Sequence, residues 1–579
     1  MNKGMLLNCN FKNVNYSIKF WDGEKLGMYV AFDTETTVMP FTTTPDMVTL
    51  QAFDGASTVY YVSKDKVWSF FEMHKDAHFI AHNAAFDMDV ICKVVGDRTF
   101  FHSWIEAHRL WDTNILYKLV HLAEIGWVPY KSSLDLITKL LLGVEIEKDD
   151  EIRLEFGQFL NTEISAIPKP FLIYGAIDAI ATYQCFHILF NRCKATGSTT
   201  ALSHNIQIAG SLALNRIYKR GIGFDLERAS TILTGLNASL SANAETLSMY
   251  GWVRGQKGIK DRYEYIVRDF LKLDLPLTED GSISSKTEDL LPYTGNHFVD
   301  AYIEYSEIEK ATTFIRNLKE EIIHPRYNVI VNTGRTSCSK PNFQQLPRSG
   351  EIRSCFIAQP GNTFIITDYS AIELATLAQI TFKRYGYSSM RDMINDGICL
   401  HKFYASKYFE KEINEVTKNE RQMAKAPNFG FPGGLGIDTF IEFSRGYGLD
   451  LSKEVAQEMK DVWFDTFPEC REYLQEKEYD EAAWTLTGRK RGRASYCARK
   501  NTPFQGLSAD GAKIALYYLD CAGFQIRGFC HDEFIIEVNK DRVETAKQNI
   551  EKIAIDAMNV VCPDVRIRVE SQVSKRYCK

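Results

Sequence analysis

GFCHDEFIIEV, residues 528–538, sets two acids, Asp532 and Glu533, between two short apolar runs. Apolar residues on both sides of a polar pair read as two strands joined by a tight turn, with the HDE segment at its tip. A second stretch, FIITDYSAIELATLA (364–378), ends an apolar strand on Asp368 and then turns helical. Acids in exposed turns are common, and either segment alone would mean no more than that. Two strands delivering carboxylates to one point are a different matter. Mg²⁺ is held by few carboxylates together with substrate phosphate, and a pair of such ions needs acids from separate segments.

Between these stretches lies ERQMAKAPNFG (420–430). Arg421, Lys425 and Phe429 are spaced by four and line one helical stripe. Two cations followed by a ring suit a nucleoside triphosphate: the cations meet phosphates and the ring packs on sugar or base. A solvated amphipathic helix would show the same spacing. Pro427 removes one backbone donor and should bend this helix.

A comparable pattern opens the chain. MYVAFDTE (28–35) reads as a buried strand ending in Asp33 and Glu35, and residues two apart in a strand share a face. Two further segments follow, HNAAFDMDVI (82–91) with Asp87, and YGAIDAIAT (174–182) with Tyr174 and Asp178 at i and i+4 on one helical face. Four acids and a tyrosine thereby become candidates to converge at one sheet edge.

The remainder of the chain bounds these readings. At 579 residues it holds about three or four domains. Thirteen cysteines without a CxxC pair argue against disulfide and zinc scaffolds, and point to reduced thiols in a cytoplasmic compartment. No secretion pattern and no apolar run near ~20 residues is visible, so no membrane partner is expected. Net charge is −6, which does not mark a nucleic-acid binder. Charge location matters more, and Arg489, Lys490, Arg491, Arg493, Arg499 and Lys500 form a dense basic cluster. Alternating strands and helices to about residue 190 suggest an α/β domain. Residues 191–200 read as a linker, 201–320 as mostly helical with a polar interruption at 275–286, and the last 250 residues as strands mixed with long helices (453–483, 543–559).

In order and spacing, the three N-terminal segments resemble the DEDD-type 3′→5′ exonucleases, and Tyr174 resembles the mark of the DEDDy subgroup; WDT (111–113) also resembles a segment of these domains. The FIITD, ERQMAKAPNFG and CHDE segments resemble the defining motifs of family A DNA polymerases, the bacterial DNA polymerase I type. TGRTSCSKPNFQQLP (333–347) and ARKNTPFQGLSADGAK (498–513) resemble two further segments of that family. The resemblance spans essentially the whole chain. It implies an α/β multidomain fold, with an RNase H-like exonuclease domain followed by a right-hand polymerase of palm, fingers and thumb. The expected bounds are 1–190 for the exonuclease domain, 201–322 for the thumb and start of the polymerase domain, 323–395 for the first palm part, 396–485 for the fingers and 486–579 for the second palm part. No 5′-nuclease domain is expected, a layout similar to phage-encoded members, which implies replication of phage DNA.

By that resemblance Asp33, Glu35, Asp87 and Asp178 hold metal, with Asp87 chosen over Asp89 by the NxxFD spacing, and Tyr174 orients the attacking water. Asp368, Asp532 and the Tyr369 carbonyl hold two Mg²⁺ ions, for which Mn²⁺ substitutes, and Glu533 supports them. Arg421, Lys425 and His401 grip the triphosphate, with Lys425 a proton donor to pyrophosphate. Phe429 packs on the nucleotide. Glu373 stands where the family excludes a ribose 2′-hydroxyl. Arg335, Asn501, Gln505 and His531 would contact primer–template DNA, and Arg489 and Arg491 its phosphates. The implied partners are primer–template DNA, dNTPs and a single-stranded 3′ end. Gly433 departs from the family, which has a tyrosine there beside the templating base; Ala371 and Ala375 replace polar residues. A pure exonuclease with a polymerase-like DNA clamp would predict loss of Asp368 or Asp532. A single-subunit RNA polymerase would not need Glu373 or the exonuclease acids, and a non-catalytic scaffold would not need two clusters of mutually repelling carboxylates.

Overall fold

The computed structural model describes residues 5–38, 42–146, 150–197, 200–278, 280–347, 351–476 and 481–578. The N-terminal part is a seven-stranded mixed sheet: β1 (Met5–Phe11), β2 (Val14–Phe20), β3 (Tyr29–Thr36), β4 (Met47–Phe53), β5 (Thr58–Val62), β6 (His78–Ala81) and β7 (Leu110–Asp112), in the order β1-β2-β5-β4-β3-β6-β7. β3 lies inside it, antiparallel to β4 and parallel to β6, and its apolar Val30, Ala31 and Phe32 are buried. A strand covered on both faces reads as a continuous apolar run, which is why MYVAF precedes the acids.

Three helices of this part matter for function: α1 (Ala84–Val95), α2 (Thr113–Ile125) and α3 (Lys169–Ala195). Asp112, at the end of β7, accepts from the backbone amides of Asn83 and Ala84 and also from those of Asn114 and Ile115. One buried carboxylate thus caps the N-termini of α1 and α2 together, which gives the WDT segment a structural role. α3 packs against β3 and β4. Its Gly175 leaves room there, because a Cβ would lie 2.6 Å from the Gln51 amide nitrogen. By length and composition alone α3 is apolar enough to cross a membrane, but it packs on β3 and β4 as a core helix of this part. It also runs through Ala195, so most of the expected linker at 191–200 is helix; residues 198 and 199 lie outside the described residues.

α4 (Thr200–Arg220) follows. It packs on α1 and β7 and on the later helix Tyr496–Cys521. The arm is α5 (Leu226–Met249) paired with α6 (His297–Arg316), with Leu247, Trp252, Tyr263, Phe298 and Tyr305 in its core. The helical arm expected from 201 therefore begins at Leu226.

The C-terminal sheet is antiparallel. β8 (Asn362–Tyr369) sits between β10 (Glu533–Asn539) and β11 (Val569–Ser574), and β9 (Gln525–Cys530) forms a hairpin with β10. Asp368 pairs in register with Glu533 on one side and Glu570 on the other. α7 (Ile372–Tyr385) leaves the end of β8. The expected fingers helix is two short ones, α8 (Lys418–Met423) and α9 (Lys425–Gly430), separated at Ala424. Pro427 has no amide to donate to Met423, so the break has a local cause. The helix expected over 453–483 divides likewise at Phe467, ahead of Pro468, into Lys453–Thr466 and Pro468–Gln475. α10 (Tyr496–Cys521) packs on α4, α7 and α11 (Val543–Asn559).

Candidate active sites

At the N-terminal site, carboxylate oxygens of Asp33, Glu35 and Asp178 lie within 4.8 Å of one another. β3 supplies the first two on one face, and α3 brings the third across. Tyr174, one turn before Asp178, is half-buried. Asp87 stands apart from this trio. Its Oδ1 accepts from the Thr34 amide (3.0 Å) and hydroxyl (2.6 Å). Thr34 points to the opposite face from its two acidic neighbours, and its hydrogen bonds occupy one oxygen of Asp87. Burial pushes the Asp87 carboxyl up to about 7 against those hydrogen bonds. Asp89 is engaged elsewhere, by Arg216 and Lys219 of α4.

At the C-terminal site, Asp368 is the penultimate residue of β8, and the β9–β10 turn presents Asp532 beside His531, whose φ is 61°. Burial, then the charges of Asp368 and Glu373, push the Asp532 carboxyl up to about 7, with Arg335 opposing. Carboxylates close enough to do this to one another repel unless cations join them. Glu533 turns inward, where the Tyr577 hydroxyl donates to it at 2.7 Å. Tyr369 also points inward, its hydroxyl on the Ala554 carbonyl at 2.6 Å.

A cavity of 610 Å³ lies in front of Asp368, with Arg421, Lys425, Phe429 and His401 on its wall. The break at Ala424 leaves both cations and the ring facing it. Burial, then Arg421 and Lys425, push His401 down to about 4, so it is neutral near pH 7. Asn428 fixes its ring: the amide meets His401 Nδ1 at 2.9 Å, and Trp463 Nε1 donates to Asn428 Oδ1 at 3.0 Å. Asp532 opens into a separate recess with Arg335, Glu373 and His531, where the Arg335 guanidinium is ion-paired with Glu373. Arg566 and Arg568 also line the main cavity and were missed from sequence. Both lie just before β11, in RIRVE (566–570), where nothing in the local pattern marks them as facing a cavity.

The basic cluster is corrected. Arg489 is 2% exposed and is ion-paired with Asp510, itself fully buried. Arg491 donates to the carbonyl of Gly126 at the end of α2, and Lys490 to that of Thr196 beyond α3. The amide of Gly492 meets the Leu122 carbonyl at 3.0 Å. A Cβ on Gly126 would fall 2.3 Å from the Gly492 carbonyl oxygen, so only glycine permits this approach. These residues join the two halves of the chain, with cations at helix C-terminal ends where the helix dipole favours them. Asn501, half-buried, donates to the Cys497 carbonyl, and Gln505 is also half-buried. A Cβ on Gly433 would lie 2.6 Å from the Asn501 amide, so a larger residue there would require Asn501 to turn away.

An acid-tipped antiparallel sheet facing a cation-lined cavity, behind an acid-lined mixed sheet, defines a polymerase fold joined to a nuclease fold. The chain belongs to DNA polymerase family A, whose model matches residues 268–579, and a 3′-5′ exonuclease model matches residues 13–194. DNA polymerase I of Aquifex aeolicus is 32% identical over 327 residues, 53% of this chain and 56% of that protein. DNA polymerase I of Borreliella burgdorferi is 26% identical over 557 residues, 88% of this chain and 58% of that protein. The chain thus spans little more than half the length of these relatives. In fold it is similar to the POL domain of Pol1 from M. smegmatis, solved in complex with DNA primer-template and dNTP, with a TM-score of 0.73, 20% identity and 95% of each chain covered.

Proposed function

We propose that this chain extends DNA primers on a template, taking dNTPs as substrates, and proofreads with its own 3′→5′ exonuclease in a cytoplasmic compartment, acting in replication of phage DNA. The observation that carries the reading is the meeting of Asp368 with Arg421, Lys425 and Phe429 around one 610 Å³ cavity. The acids await cations, the basic side chains suit a triphosphate, and the ring suits a sugar or base.

Both acid groups fit divalent ions, because three crowded carboxylates in one, and a carboxyl raised to about 7 beside a second acid in the other, favour a bound cation. Asp33, Glu35 and Asp178, with Asp87 adjoining, would hold Mg²⁺ in one; Asp368, Asp532 and the Tyr369 carbonyl would hold it in the other. Bound there, Mg²⁺ supplies a lowered pKa at the attacking oxygen and charge neutralisation at the leaving oxygen. Arg421 and Lys425 then orient the triphosphate, and Lys425 is placed to give a proton to pyrophosphate. Neutral His401 offers a hydrogen bond without adding charge. Glu373 limits space for a 2′-hydroxyl once Arg335 turns from it to DNA. Asn501, Gln505 and His531 contact primer–template DNA beside it. At the N-terminal site Tyr174 orients the attacking water and a single-stranded 3′ end supplies the scissile phosphate.

The test is extension of a labelled primer on a template with dNTPs or rNTPs, with Mg²⁺ or with a chelator. Template-ordered extension with dNTPs, stopped by chelation, is expected. Trimming without any extension would reject the polymerase reading and favour an exonuclease with a polymerase-like clamp.

A further inference from the structure

Away from both acid sites, a cleft of 380 Å³ lies between α1 and α4, where the two halves of the chain meet. Lys93 and Arg98 border it from the exonuclease side, and Arg216, Lys219 and Arg220 from α4. Their carboxylate partners are fewer than the cations. Asp520, 1% exposed, receives Arg98, Arg216 and Arg220. Asp89 receives Arg216 and Lys219, and also the Asn215 amide at 2.7 Å. Four cations therefore share two acids, and Lys93 at the edge pairs with the half-exposed Asp46. Positive charge in excess within a largely buried network is costly unless an anion answers it.

Arg220 makes the need specific. Its side chain is 16% exposed, one nitrogen donates to Asp520 at 2.7 Å, and its Nη1 is buried with no acceptor among the described residues. Burial lowers its pKa against the opposing charge of Asp520. Surplus cations around a cleft suit an oxyanion, and arginine forks match phosphate oxygens. Among the described residues no aromatic ring lines the cleft, so none of them would read a base.

We propose that this cleft binds a phosphate group, held jointly by Lys93 and Arg98 of the exonuclease domain and by Lys219 and Arg220 of α4. The ligand is a free phosphate ion or a backbone phosphate of a DNA strand. Bound there, it ties the two halves of the chain together.

The experiment titrates inorganic phosphate into the full chain, without divalent metal, against chloride at equal ionic strength, and follows the thermal midpoint. A saturable rise of about 2 °C is expected with phosphate and not with chloride. Lys93→Met combined with Lys219→Met should remove most of it, whereas Arg421→Ala, in the nucleotide cavity, should keep it. Lys93→Met alone alters a surface side chain and tests the site without threat to folding; it should weaken phosphate binding several-fold. An unlabelled single-stranded oligonucleotide that displaces phosphate in a Lys93-dependent way identifies a strand as the source, and persistence of phosphate identifies the free ion. No rise with phosphate, an equal rise with chloride, or an undiminished rise in the double variant would overturn the proposal.

Discussion

The two acid sites differ in what surrounds them. At the N-terminal site three carboxylates crowd together from one strand and one helix, and the fourth acid, Asp87, is hydrogen-bonded to Thr34. At the C-terminal site two strand-end acids face a recess closed by an Arg335–Glu373 pair and a larger cavity walled by Arg421 and Lys425. A phosphodiester to be hydrolysed needs only cations and water at its scissile phosphate. A triphosphate brings more negative charge, which the protein must meet with fixed cations. On the proposed function, surrounding charge, more than the acids themselves, would separate cleavage from synthesis.

Asp33→Ala breaks the first half of that comparison. It should reduce release of 3′ nucleotides from a labelled single strand by about a thousandfold, the scale of losing metal-based charge stabilisation, while matched-primer extension continues. Undiminished trimming would move the nuclease site elsewhere. Next in size, Arg489→Ala should destabilise the fold by about 3–5 kcal/mol, because it removes the closest cation from buried Asp510. Chemical denaturation measures this; a stable variant with weakened DNA binding would instead restore the phosphate-binding reading of the basic cluster.

The cations of the C-terminal cavity also act on His401. Its folded pKa is about 4 against an unfolded value near 6.5, so the unfolded chain binds more protons between those limits. Stability from this residue is whole above pH 6.5, falls as pH drops through the window, and is gone below about 4. His401→Gln should flatten the denaturation midpoint over that window by an amount worth at most about 3 kcal/mol; an unchanged slope would show that His401 is charged in the fold. The smallest effect is expected from Glu373→Ala, which should raise rNTP incorporation relative to dNTP by about tenfold. An unchanged ratio in single-nucleotide extension would place sugar selection away from Glu373.

Much of this was legible in the sequence, for local reasons. A strand ending in an acid announces itself by its apolar run, so Asp33, Asp368 and Asp532 could be placed without tertiary knowledge. Pro427 announced the break between α8 and α9 equally well. Arg489 was not legible. Density of cations does not distinguish inside from outside, and its burial depends on Asp510, 21 residues on, and on Gln207 of α4, which donates to the same carboxylate. The arm boundary was missed because α4 and α5 carry similar helical periodicity and differ only in what they pack on. Asp87 has the right spacing, yet its side chain is governed by Thr34, whose direction follows from strand alternation that the sequence does show.

The most direct test of two separate chemistries is Asp532→Asn, assayed on one preparation for primer extension and for trimming of a single-stranded 3′ end. Extension should disappear while trimming proceeds at the native rate. Loss of both to the same degree, or extension that survives, would contradict the assignment of synthesis to the acids at the β8–β10 strand ends.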